Sequence, residues 1–119
     1  MPVAVLLSQD LMLSSMLSGP AGRARWQLVS CRNWQAMTET IAQAPAAGRD
    51  VKLVVIDLTL SGLELKTELF DQLHSQSIAT VAFGPHVHRE RLAAALAAGC
   101  QRVWSRGQLH QQADELFAS

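Results

Sequence analysis

The amino-acid sequence predicts one α/β domain in which five parallel strands form a doubly wound sheet. Short apolar runs alternate with segments of helical periodicity five times along 119 residues, which is the length of a single domain. Hydrophobic residues make up 49% of the chain, enough for a substantial core. We therefore interpret residues 1–119 as one domain. Whether the chain is a fragment of a longer protein stays open.

The five predicted strands are the short apolar runs. They cover residues 3–7, 25–30, 51–58, 78–84 and 102–105. The third run, "VKLVVIDL", is apolar without alternation as far as Asp57, which suits a strand that is covered on both faces. A turn is expected just after it, at the "SG" of residues 61 and 62.

Five predicted helices separate and follow these strands. They cover residues 10–17, 33–44, 63–74, 86–99 and 108–117. We expect the first helix to stop at "SGP", Asn33 to cap the second and Gly99 to end the fourth. Right-handed crossovers between parallel strands then favour a flavodoxin-like sheet of order 2-1-3-4-5 inside a three-layer α/β/α domain.

Asp57 marks the edge of this sheet at which a ligand is expected. Open α/β sheets bind ligands at the carboxyl ends of their strands, here near the first and third. Asp57 ends the third strand, so a carboxylate stands where the chain leaves the core. The same topology puts Cys31 and Cys100 at opposite edges of the sheet, and we expect two free thiols.

Composition argues against several classes of partner. Ten basic and ten acidic residues give a net charge of zero, so no long-range field would attract nucleic acid or an anionic membrane. No apolar run approaches the roughly 20 residues that span a bilayer, and the amino-terminal run lacks the features of a signal peptide. We expect a cytoplasmic protein with reduced thiols.

Other single residues receive structural interpretations. Trp26 and Trp34 are expected to be buried. The histidines have no spacing that converges on a metal ion, so we expect surface or helix-capping roles for His86, His88 and His110. No metal site is predicted from these residues.

Two segments resemble the receiver domains of two-component response regulators. "VVIDLTLSG" is similar to the family's third strand, phosphoacceptor aspartate and turn, which places Asp57 at the phosphoacceptor position. "LAAALAAGCQRVWSRGQL" resembles the family's "A-L-x-A-G-A-x-x-Y-L-x-K-P" segment and keeps the interval from the glycine, Gly99, to the conserved lysine, here Arg106. The resemblance covers nearly the whole chain.

The resemblance also implies that the residues serving the phosphoacceptor have changed. The family's Mg²⁺-binding acidic pair falls on Ser8 and Gln9, with Asp10 one residue later. The remaining positions fall on Gly84 for the switch hydroxyl, Val103 beside Trp104 for the switch aromatic, Arg106 for the lysine and Gly107 for the proline. Mg²⁺ prefers carboxylate oxygens, and phosphoryl transfer depends on positioning and charge neutralisation. We therefore expect Asp57 to form a structural ion pair with Arg106, and Asp10 to begin the first helix facing outward.

The resulting hypothesis is a pseudo-receiver without cofactor or enzymatic activity. It would act in signal transduction by phosphorylation-independent protein–protein interaction. Val103 and Trp104 would lie on the interaction face, and a homodimer would use the fourth helix, fifth strand and fifth helix. The sequence identifies no partner, no pathway and no oligomeric state.

Two alternatives stay open. The first is a response regulator phosphorylated on Asp57, with Mg²⁺ held by Asp10 and Asp57. The second is a small flavodoxin-like enzyme or nucleotide-binding domain that uses the same sheet edge, and a melting shift caused by its ligand would identify it.

Overall fold

The computed structural model describes residues 1–60 and 63–117, which contain one five-stranded parallel sheet. Its strands are β1 (Pro2–Leu7), β2 (Gln27–Cys31), β3 (Asp50–Asp57), β4 (Ala79–Gly84) and β5 (Arg102–Ser105). They are ordered β2-β1-β3-β4-β5, and each neighbouring pair is parallel. The predicted fold class and strand order are confirmed. The turn expected at residues 61 and 62 lies outside the described residues.

Helices cover both faces of the sheet. They are α1 (Leu11–Arg23), α2 (Trp34–Gln43), α3 (Thr67–Ser75), α4 (Arg89–Ala98), α5 (Arg106–Gln111) and α6 (Ala113–Leu116). Helices α2, α3 and α4 contribute to an apolar cluster on one face, which we call the first cluster. Helices α1, α5 and α6 contribute to the second cluster, on the other face.

The burial of β3 on both faces of the sheet explains why its sequence is apolar without alternation from Leu53 onward. Val54 and Ile56 enter the first cluster, whereas Leu53 and Val55 enter the second. Successive side chains of a strand point to opposite faces, so a strand with helices on both sides buries both sets. Strand β3 does so from Leu53 to Asp57, whereas Asp50 and Lys52 at its amino end are exposed. Asp57 is the last residue of β3 and lies at the carboxyl edge of the sheet.

Helix α1 is longer than the sequence predicted. It continues through Gly19 and Pro20 to Arg23, although "SGP" was expected to stop it. A proline removes one helical hydrogen bond and crowds the preceding turn. Here Leu17 and Ala21, on either side of the break signal, are both buried in the second cluster, and tertiary packing outweighs the local signal.

Three further helices differ from expectation. Helix α4 begins at Arg89 rather than His86. Helix α3 begins at Thr67 rather than Leu63, because Leu63 and Leu65 pack against the first cluster from a non-helical segment. The closing helix divides into α5 and α6 at Gln112, whose backbone (φ −110°, ψ 18°) leaves helical geometry. The closing helix also begins earlier than predicted, at Arg106 rather than Gln108, because Ser105 and Gln108 form a reciprocal capping box there.

Several local predictions are confirmed. The Asn33 side chain accepts the amide of Ala36 and caps α2, and Gly99 ends α4 in the left-handed region (φ 113°). Cys31 and Cys100 are free and buried, at opposite ends of the strand order.

The burial of the tryptophans and histidines agrees with the sequence prediction at all but one of the residues considered, Trp34. Trp26 is buried as predicted, whereas Trp34 is only half-buried against the first cluster. The histidines expected at the surface, His86, His88 and His110, are exposed. In the part of the chain that the structure describes, no helix is long and apolar enough to cross a membrane.

Candidate functional site

Asp57 is a buried carboxylate whose two oxygens are both occupied by hydrogen-bond donors of the protein. Its side chain lies at the carboxyl end of β3, and the residue is 3% exposed. The Ser8 hydroxyl donates to Oδ2 at 2.7 Å. Thr59 donates twice to Oδ1, from its amide at 3.0 Å and from its hydroxyl at 2.6 Å. A buried carboxylate needs such donors, and Ser8 and Thr59 supply them here.

Ser8 connects Asp57 to the start of α1. Its amide donates to the carbonyl of Cys31 at 3.0 Å, which fixes the chain directly after β1 against the end of β2. Its hydroxyl oxygen also accepts the amide of Asp10 at 3.0 Å. The position at which the family has an acid therefore holds a buried hydroxyl, 5% exposed, that both donates and accepts.

Asp10 caps α1 and pairs with Arg106. Its Oδ1 accepts the amides of Met12 at 3.0 Å and Leu13 at 3.3 Å, while its Oδ2 accepts a hydrogen bond from the Arg106 guanidinium. Asp10 was thus correctly placed at the helix start, but it does not simply face outward. The capping box starts α5 at Arg106, and this start places the Arg106 side chain beside Asp10.

The predicted ion pair between Asp57 and Arg106 is wrong. These two described side chains have no contact of 4.0 Å or less between nitrogen and carboxylate oxygen, and Arg106 binds Asp10 instead. The physical reason is that Ser8 and Thr59 already satisfy Asp57, whereas Asp10 has an oxygen left over after capping α1. The resulting pair joins the amino ends of α1 and α5, beside Asp57.

Competing effects set the acidity of Asp10. Burial by itself raises the pKa of Asp10. The hydrogen bond from Arg106, the amides of Leu13 and Met12 and the positive charge of Arg106 together outweigh burial, so the pKa of Asp10 lies below its ordinary value of 3.8. Asp10 is therefore ionised at neutral pH and available as the anionic partner of Arg106.

Replacing Asp10 with asparagine should lower the free energy of unfolding only at pH values at which Asp10 is ionised. Because the folded-state pKa of Asp10 lies below its unfolded-state value, its carboxylate stabilises the fold fully above about pH 4 and loses that effect as pH falls through the folded pKa. Urea unfolding across pH should show a free-energy difference between wild type and Asp10→Asn at neutral pH. The difference should shrink toward zero in acid.

A control variant separates this pair from the general loss of a surface charge. Asp71→Asn removes an exposed carboxylate from α3, on the other face of the sheet. If Asp10→Asn and Asp71→Asn gave the same pH profile, or if the Asp10→Asn difference persisted unchanged in acid, the pairing with Arg106 would not be the cause.

The other candidate pocket residues lie around this centre. The amide nitrogen of the Gln9 side chain donates to the carbonyl of Arg32 at 3.3 Å. Gly84 ends β4, and a Cβ added there would meet the Cβ of Leu58 at 3.4 Å, an ordinary contact distance. Packing therefore leaves room for a Cβ atom at position 84.

Thr59 and Arg91 are site residues that the sequence analysis missed. Thr59 follows Asp57 by two positions, and an aspartate commonly accepts the amide two residues on, so this signal was present. The Arg91 guanidinium, on α4, donates to the carbonyl of Leu58 at 2.7 Å. No sequence signal links a helix arginine to that carbonyl, which lies 33 positions earlier.

Val103 and Trp104 lie on the edge strand β5 but face opposite ways. Val103 packs against the first cluster and Trp104 against the second, and both are half-buried. Because β5 is the last strand in the sheet order, its outer edge runs between α4 on one side and α5 on the other. Each residue thus contributes to this edge from a different face of the sheet.

The residues beside Asp57 do not fit the Mg²⁺ ion that the receiver resemblance implies. A pocket of about 280 Å³ is lined by Gln9, Asp10, Asp57, Thr59 and Leu60, so two carboxylates border it. Mg²⁺ needs oxygens at about 2.0–2.1 Å in octahedral geometry. Ser8 and Thr59 already donate to Asp57, and Arg106 already pairs with Asp10, so an ion would have to compete with these donors for the carboxylate oxygens.

Within residues 1–60 and 63–117, no group of three or more histidine, cysteine, aspartate or glutamate side chains is arranged to hold a metal ion. The three histidines considered from the sequence are therefore not brought together with other ligands in these ranges.

Comparison with known proteins identifies the fold. No family model and no curated protein matches the sequence. Among solved structures, a response regulator from Thermotoga maritima is 10% identical with a TM-score of 0.72, over 99% of this chain and 98% of the other. A CheY-like protein, TadZ, from Pseudomonas aeruginosa is 20% identical with a TM-score of 0.74, over the same fractions.

A third similar structure was solved with a partner. It is the receiver domain of the response regulator Ssk1 from Saccharomyces cerevisiae in complex with the histidine phosphotransfer protein Ypd1. It is 14% identical with a TM-score of 0.69, over 99% of this chain and 89% of the other. At these identities the likeness concerns the fold. The chain has the flavodoxin-like fold of response-regulator receiver domains.

Proposed function

We propose that this chain is an atypical receiver domain that acts in signal transduction by binding another protein without phosphorylation of Asp57. The observation that carries the proposal is that both oxygens of Asp57 are already hydrogen-bonded: Ser8 and Thr59 place three donors on them. A phosphoacceptor must present a free oxygen to the donor and a metal ion to its phosphoryl group. Here Ser8 and Thr59 already donate to both oxygens of Asp57, so a phosphodonor and a metal ion would have to compete with them.

The Asp10–Arg106 pair supports the same proposal. In the receiver resemblance Arg106 falls on the conserved lysine, and Asp10 lies one residue after the positions of the metal-binding acidic pair. In this chain the acid and the cation neutralise each other, and the contact holds α1 to α5. Both charges are thereby used to maintain one arrangement of the site edge, which suits a domain that binds in a single conformation.

The proposed partner is a protein, with a second copy of the chain as the specific candidate. The outer surface of α4 exposes Leu96 (61%) together with Ala93, Ala94 and Ala97, and Val87 (70%) lies just before the helix. A contiguous apolar surface of this kind on a small domain indicates an interaction site. It adjoins β5, so the proposed face joins α4, Val103 and Trp104. The proposal includes no catalysis, and it keeps the reducing cytoplasmic setting that suits two free thiols.

A second candidate function is a phosphorylatable receiver. The observation in its favour is position: Asp57 ends β3 beside a pocket that Asp10 also lines. Phosphorylation would then require the Ser8, Thr59 and Arg106 contacts to open.

The mass of the intact protein after incubation with Mg²⁺ and acetyl phosphate distinguishes the two candidates. We expect no phosphoryl adduct on the wild type beyond the level on Asp57→Asn, because Ser8 and Thr59 already donate to both oxygens of Asp57 and Asp10 is already paired with Arg106. A receiver domain that is phosphorylated under the same conditions serves as the positive control. An adduct on the wild type that is absent from Asp57→Asn would establish the second candidate.

A further inference from the structure

A second pocket opens at the edge of the sheet opposite Asp57. Its volume is about 540 Å³, within the range of about 300–1,000 Å³ that is typical of small-molecule sites. Residues from the amino ends of β1, β3, β4 and β5 and from α6 line it, and we call it the amino-end pocket. It shares no lining residue with the pocket at Asp57.

The floor of the amino-end pocket is apolar and fixed in place. Trp26, Leu53, Val81 and Leu116 line it, and all four are buried members of the second cluster. The Trp26 ring packs edge-on against Phe117 with centroids 5.6 Å apart, which holds the indole in one orientation. A ligand on this floor would therefore need an apolar body.

The rim of the amino-end pocket carries two basic and two acidic residues, all exposed. Lys52 and Asp50 form a loose pair with nitrogen and oxygen 3.7 Å apart. In the ranges that the structure describes, neither Arg102 nor Glu115 has an oppositely charged group within 4.0 Å. Among the described residues, one cation and one anion on the rim thus have no oppositely charged partner.

We propose that the amino-end pocket binds a small zwitterion with an apolar body, of the class of free amino acids with large apolar side chains. The ligand carboxylate would pair with Arg102 and its ammonium with Glu115, while its side chain covers Trp26 and Leu116. Charge-assisted hydrogen bonds of this kind are the stronger ones. The proposal does not depend on the function proposed for the Asp57 edge, so either can fail alone.

An NMR titration of the full chain with L-phenylalanine tests the proposal. The indole N–H signal of Trp26 should shift saturably, whereas that of Trp34, on α2, should not. Phenylacetate keeps only the carboxylate and phenethylamine only the ammonium. Each should bind about tenfold more weakly than L-phenylalanine, because each loses one charge-assisted contact.

Variants assign the two charges. Arg102→Gln should weaken L-phenylalanine binding about tenfold while leaving phenethylamine binding unchanged. Glu115→Gln should weaken L-phenylalanine binding about tenfold while leaving phenylacetate binding unchanged. Arg89→Gln and Glu68→Gln remove exposed charges away from the pocket and should have no effect.

Three results would overturn the proposal. They are the absence of any shift at Trp26, equal affinities for the three probes, and binding that survives both rim substitutions. If a rim variant fails to fold, the probe series on the wild type still decides.

Discussion

The Ser8→Asp variant is expected to bind a divalent cation that the wild type does not bind. Ser8 Oγ lies 2.7 Å from Oδ2 of Asp57, so a carboxylate at position 8 would meet the buried carboxylate of Asp57 at close range. Two carboxylates in one site repel each other unless one takes up a proton or a cation neutralises them. A divalent ion with oxygen ligands is the natural partner for that arrangement.

The effect on stability should be large and should depend on metal. Without metal, Ser8→Asp loses the hydroxyl donor and gains repulsion, which we expect to cost about 1–3 kcal/mol at neutral pH. Saturating Mg²⁺ or Mn²⁺ should recover stability, by about 2.7 kcal/mol at a hundred times the dissociation constant. Thermal melting with and without each ion measures both effects.

The matched control is Ser8→Asn, which has nearly the same shape as Ser8→Asp but adds no charge. It should lose stability and show no response to either ion, and the wild type should melt at the same temperature with and without them. A metal-dependent rise in the melting temperature of the wild type would mean that the hydrogen bonds from Ser8 and Thr59 do not keep metal ions from Asp57. No shift in Ser8→Asp would mean that the Ser8 position does not decide metal binding.

The fold was predictable because its signals are regional, whereas the errors arose where one local signal competed with packing. An apolar run such as β3 fixes a strand covered on both faces, and five such runs fix the sheet order through simple crossover rules. "SGP" is a strong local stop signal, yet burial of Ala21 in the second cluster carries α1 past it. Burial of that kind can be seen only in the assembled fold.

The site was predictable by position but not by partner. The resemblance located Asp57, Ser8, Asp10 and Arg106 at one edge of the sheet, and the structure brings Ser8 to Asp57 and Arg106 to Asp10. Which acid Arg106 would bind depended on how the donors near Asp57 were already used. Thr59 settles that question through a local turn, which an inspection of charges alone does not reveal.

Replacing Leu96 with lysine is expected to abolish self-association of the chain. In the proposed dimer the exposed apolar surface of α4 packs against its symmetry copy, so each substitution acts twice. Burying one leucine side chain contributes about 1.5–3 kcal/mol, and two such losses should weaken the dimer by roughly a hundredfold or more. Lysine suits the last turn of α4, where the helix dipole favours a positive charge, so the monomer fold should be unaffected.

Sedimentation equilibrium of wild type, Leu96→Lys and Leu11→Glu provides the test. Leu11 is the appropriate control because it is 84% exposed, lies on α1 away from α4, and tolerates an acid at a helix start. Wild type and Leu11→Glu should form the same dimer, and Leu96→Lys should be monomeric. A wild type that stays monomeric at every concentration would contradict self-association and leave the α4 surface to a different protein. A Leu96→Lys variant that still forms dimers would place the interface elsewhere.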